Sequence, residues 1–130
     1  MLTQLGIFLR KLRLDSGEIM KEMAAKLGVS SSFLSAVENG KKKMPESWYD
    51  TIVNLYNLDK EKKDELMTAI EESQKSLEIN LEDLSKEKKR LAFSFARELE
   101  NMNKEEVDKM KIFFKKDGEW YGWIYSRPFI

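Results

Sequence analysis

The chain has 130 residues, room for one domain or a small domain with an appendage, and its 23 basic and 23 acidic residues cancel to a net charge of zero. It contains no cysteine and no histidine, which removes disulfides, thiolate metal sites, the commonest metal ligand and the commonest general base. No apolar run approaches a membrane span, and the start Met-Leu-Thr-Gln-Leu-Gly lacks a basic region leading into an apolar one. The expectation is therefore a soluble cytoplasmic protein that is not an enzyme and carries no metal or cofactor.

The first predicted element is an amphipathic helix from Thr3 to Asp15. Leu5, Phe8, Leu9 and Leu12 form its buried stripe, with Arg10, Lys11 and Arg13 lying among them. A second helix begins near Ile19, where Ile19, Met23 and Leu27 recur at helical spacing, and it must stop at Gly28. Glycine there takes a positive φ without steric cost, Val29 plugs the angle, and Ser30 is a residue type that caps the next N-terminus. Phe33, Leu34 and Val37 then resume the apolar pattern until Gly40 closes the helix.

Met23, Ala24, Leu27, Gly28, Val29, Ser30, Leu34, Ser35, Glu38, Asn39 and Gly40 together spell a long motif. It resembles the helix-turn-helix of the Cro and lambda-repressor-like superfamily, the xenobiotic-response-element class of regulators. The resemblance implies a recognition helix from about Ser31 to Asn39, with Ser31, Ser32, Ser35 and Ala36 at the positions that reach base edges. Those short side chains imply modest direct readout, because serine bonds to any base and alanine only touches a thymine methyl. It further implies a structural ion pair between Arg13 and Glu38, and places Asn39 beside the DNA backbone. Met20 departs from the glutamine that many members use on phosphate, so that contact falls to Lys21 or to the N–H groups of the helix start. Phe33 has two readings, one against the sugar-phosphate backbone and one in the core.

Lys41, Lys42 and Lys43 follow as a basic loop suited to clamping phosphates. Residues 1–45 hold eight basic against four acidic side chains, so this end is at +4 and the remainder at −4. Pro45 opens a fourth helix at roughly Glu46, with Trp48, Ile52, Val53, Leu55 and Tyr56 available to cover the core. Asp59 caps a fifth, carrying Leu66, Met67 and Ile70 to about Ser76. Five helices then complete a DNA-binding domain over residues 1–76.

From Leu77 to Glu82 apolar and polar residues alternate, which predicts a short strand in need of a partner. Ser85 caps a helix to about Asn101 with Leu91, Phe95, Leu99 and Met102 in one stripe. Asn103 and Glu106 read as a capping box opening another helix to about Lys116. Trp120, Tyr121, Trp123, Tyr125 and Phe129 crowd the end of the chain, an aromatic arm that completes the core, pairs with 77–81, or contacts a dimer mate or partner protein. The predicted fold is thus mainly α: a lambda-repressor-like five-helix domain, then a short strand, a helical hairpin and an arm over residues 77–130.

These readings imply a sequence-specific regulator of double-stranded DNA, a homodimeric repressor. The alternative is an antitoxin or inhibitor that binds a protein partner such as a toxin through the C-terminal half and autoregulates through the helix-turn-helix.

Overall fold

The computed structural model describes residues 1–114, and every regular element among them is helical. The chain divides into two units, residues 1–77 and 78–130.

In the first unit, α1 (Gln4–Ser16) starts at Thr3, whose hydroxyl accepts from the Gly6 N–H at 3.1 Å, and it buries Leu5, Phe8, Leu9 and Leu12. α2 (Met20–Leu27) adds Met23 and Ala24 to the core, and α3 (Ser31–Glu38) adds Leu34 and Val37. α4 (Trp48–Leu55) contributes Trp48 and Ile52, while α5 (Lys60–Ser73) contributes Leu66, Met67, Ala69 and Ile70. The apolar residues recur at helical spacing in each element, so each helix has a face to bury and the five close on one another. The Leu5 N–H, one of the donors α1 cannot satisfy internally, donates to Ser73 Oγ at 3.0 Å; the Ser73 hydroxyl in turn donates to the Ala69 carbonyl at 2.6 Å. That pairing ties the start of α1 to the last turn of α5. Gln74 is already extended, so α5 ends three residues before Ser76.

A second tie holds the α1–α2 turn against the end of α4. Tyr56 Oη donates to Glu18 Oε1 at 2.6 Å, Lys26 pairs with the other Glu18 oxygen, and the Lys26 ammonium stands 5.5 Å from the Tyr56 ring centroid. Burial pushes the Glu18 carboxyl up. The hydrogen bonds from Lys26 and Tyr56, with the charges of Lys26 and Arg13, outweigh that and hold it below the ordinary glutamate value. Burial and the neighbouring carboxylate raise the Tyr56 phenol, which keeps its proton available for donation.

The predicted strand at 77–82 is absent. No strand occurs among the described residues; Leu77 and Ile79 are 65% and 51% exposed, and no neighbouring strand offers backbone partners. Local bonds take over instead. Asn80 Oδ1 accepts from the Glu82 N–H at 3.0 Å and the Leu84 N–H donates to the Leu81 carbonyl at 3.1 Å, turning the chain into the next helix. Alternation alone does not make a strand when an asparagine side chain offers the backbone a turn.

In the second unit, α6 (Lys86–Glu98) is capped by Ser85 Oγ, which accepts from the Lys88 N–H at 3.2 Å, and runs into a 3-10 turn at Leu99–Asn101. α7 (Lys104–Phe114) starts at a reciprocal capping box in which Asn103 Oδ1 accepts from the Glu106 N–H and the Glu106 carboxylate from the Asn103 N–H. No residue of α6 or α7 is buried. The aromatic arm lies outside the described residues.

The folded Glu18 carboxyl is depressed, so its contribution to stability is complete above the ordinary glutamate pKa and is lost as pH falls through the folded value. Urea midpoints followed from pH 7 to pH 3 should therefore fall less steeply for Glu18→Gln than for the wild type.

Candidate nucleic-acid interface

The turn between α2 and α3 is built from local rules. Gly28 closes α2 at φ 72°, and its neighbour Val29 donates to the Ala24 carbonyl at 3.0 Å. Ser30 Oγ then accepts from the Phe33 N–H at 3.1 Å, fixing where α3 begins. The first-turn N–H groups of Ser31 and Ser32 have no acceptor within the helix and both residues are exposed. At 100° per residue, Ser31, Ser32, Ser35 and Ala36 share one arc of α3, opposite the buried Leu34 and Val37. Ser35 and Ala36 are half-buried within it.

α3 is fastened to α1 from below. Arg13 makes a two-pronged pair with Glu38, through Nη1 to Oε2 and through Nη2 to Oε1 at 3.2 Å, and Arg13 Nη1 also reaches Met23 Sδ at 3.4 Å. Both partners are buried, Glu38 completely. The Glu38 carbonyl accepts from both the N–H and the hydroxyl of Thr3, each at 3.0 Å. Gly6 permits that approach, since a Cβ there would stand 2.2 Å from the same carbonyl oxygen. The roles of Thr3 and Gly6 toward Glu38 are not among the sequence expectations. The one available signal was a glycine inside a helix, a costly choice that usually has a packing reason.

Beyond α3, the N–H groups of Lys41 and Lys42 both donate to the Ala36 carbonyl, at 2.8 and 3.2 Å, so the basic loop folds back on the helix end. Lys41, Lys42 and Lys43 are all exposed. The Asn39 amide donates to the Ser35 carbonyl at 2.9 Å and reaches the Ser35 hydroxyl at 3.4 Å, which engages it in the helix cap. Phe33 is half-buried, its ring edge-to-face with buried Trp48 at 5.9 Å. Lys21 is exposed near the start of α2. The Ile19 N–H at that start is occupied by the Glu22 carboxylate at 3.0 Å, which puts negative charge beside those N–H groups.

Residues 4–66 match the model of a family described as a helix-turn-helix domain. This segment is a helix-turn-helix domain. The match covers just under half of the chain, and its description gives no narrower class. No curated protein and no solved structure gives a significant match. A helix-turn-helix domain is a binding module without catalytic machinery. Among the described residues no cluster of acidic side chains is arranged to hold a metal ion, and no helix is long and apolar enough to cross a membrane.

Two substitutions test how α3 is held. Gly6→Ala should cost about 3 kcal/mol in urea unfolding, because the obstacle is backbone that cannot swing aside. Arg13→Met should cost about 3–5 kcal/mol by stranding a buried carboxylate, and Arg13→Met with Glu38→Leu should recover most of it in a double-mutant cycle.

Proposed function

We propose that the chain is a sequence-specific DNA-binding regulator of the Cro and lambda-repressor-like type, acting as a dimeric repressor. The observation that carries this reading is the exposed Lys41–Lys43 loop, bonded back to the end of a helix whose outward arc holds only small side chains. A helix so trimmed can enter the major groove closely, and three lysines held at its end then fall beside phosphates.

In this mechanism Ser31, Ser32, Ser35 and Ala36 face base edges. Lys41, Lys42, Lys43 and Lys21 neutralise phosphates, and Asn39 lies beside the DNA backbone, its amide free to turn from the 3.4 Å contact with the Ser35 hydroxyl. Phe33 supports the arc from its seat on Trp48 and presents its free edge to a sugar. The Glu22 carboxylate makes the start of α2 a poor anion site, so the contact there belongs to Lys21. Because hydroxyls and a methyl discriminate weakly, groove shape and phosphate register carry much of the specificity.

Dimerisation draws support from one stripe of α6 and the 3-10 turn that follows it, where Leu91, Phe95 and Leu99 are 69%, 37% and 52% exposed. A second copy covering that face would set two half-sites one or more helical turns apart, and occupancy of both would block polymerase at a promoter.

The test is binding to the chain's own upstream DNA across a salt series. Wild type should bind with a steep salt dependence, and Lys41→Gln, Lys42→Gln, Lys43→Gln together should flatten the log–log slope by roughly 3. Ser31→Glu with Ser35→Glu should abolish specific binding without unfolding the protein. Equal, weak binding by all three proteins would sink the reading.

A further inference from the structure

A cavity of about 170 Å³ opens where the C-terminal end of α5 meets the loop after α3. Its apolar wall comes from α1, α3, the loop and α5, as Leu5, Val37, Met44 and Ile70. Each of these side chains is at most 9% exposed, so the wall is core that surfaces only here. The charged part of the lining is Lys42, Lys43 and Lys75, with no acidic residue among the lining side chains. Among the described residues none of these three lysines has a carboxylate partner.

We infer that this cavity binds a small amphipathic anion, an organic acid of about the size of benzoate. Its carboxylate would lie among the three ammonium groups and its hydrocarbon on the Leu5, Val37, Met44 and Ile70 wall. Three uncompensated like charges favour an anion over a neutral guest. The apolar wall favours hydrocarbon over inorganic phosphate, which would lose hydration against it without regaining hydrogen bonds. The volume is below the range of about 300–1,000 Å³ usual for drug-sized ligands, which restricts the guest to a handful of heavy atoms.

The consequence of occupancy rests on the DNA-binding reading above. Lys42 and Lys43 belong both to the cavity and to the loop proposed to clamp phosphates. An acid seated there draws two of the three loop charges toward itself, so acid and DNA oppose one another and each weakens the other's binding.

The experiment uses the full chain at constant ionic strength with benzoate, benzyl alcohol and inorganic phosphate as probes. Binding is read from methionine methyl NMR, DNA affinity from fluorescence anisotropy. Benzoate should shift the Met44 methyl saturably, the other two should do so at least about tenfold more weakly, and saturating benzoate should lower DNA affinity at least about fivefold. Lys75→Gln, outside the proposed DNA contacts, should weaken benzoate binding while leaving DNA affinity unchanged. Equal response to benzyl alcohol or to phosphate overturns the inference, as does benzoate binding that Lys75→Gln leaves intact. Benzoate binding with DNA affinity unaltered overturns the coupling. If benzoate binds as described and the protein shows no specific DNA binding at all, the cavity assignment stands and the regulator reading fails.

Discussion

Glu38 is the residue on which the geometry of the helix-turn-helix depends. Its carboxylate, fully enclosed, has no water to solvate it and survives only because Arg13 answers it with two parallel hydrogen bonds. Its carbonyl, at the end of α3 where helical partners run out, is claimed by the backbone and side chain of Thr3. One residue thus fixes the axial position and the rotation of α3 against α1. An apolar pair of similar volume would hold the helices together, but it would tolerate sliding that a two-pronged pair does not.

The rest of the first unit follows from that constraint. With α3 seated, Leu34 and Val37 meet α1 and α2, and the exposed arc is whatever remains. The loop beyond inherits its place from the Ala36 carbonyl, which gathers the N–H groups of Lys41 and Lys42. α5 closes the other side of α1, where the Ser73 hydroxyl acts as a cap supplied from a distant element for the Leu5 N–H.

Local features were legible in the sequence because they are decided within a few residues. The Leu5, Phe8, Leu9 and Leu12 stripe, the Gly28 stop and the Ser30 and Ser85 caps each express a period or a cap that needs no knowledge of the fold. The pairing of Arg13 with Glu38 spans 25 residues and was reachable only through the resemblance. Thr3 matters through Glu38, 35 residues away, and Gly6 through the same residue, so a glycine inside a helix hints at close packing but no local window says against what. The lysine-rimmed cavity draws its wall from three helices and a loop, so no stretch of sequence spells it. At 77–82 the period was real and the inference to a strand failed, because pairing is a tertiary fact and Asn80 supplied a local competitor. Of the candidate interface, the order of residues around α3 could be read in advance; the way the basic loop is strapped to the helix end could not.

The division between what holds α3 and what it displays has a consequence for how such a protein can change. The contacts that set its pose are made by Ser30, Phe33, Leu34, Val37, Glu38 and the cap beyond, on the inward side or at the ends. Ser31 and Ser32 make no side-chain bond to the fold. Those two positions are therefore replaceable letters on a fixed type bar. Under the proposed function, substitution at Ser31 or Ser32 would alter what the helix touches without disturbing its seat, so target preference could change one residue at a time at little cost to the fold.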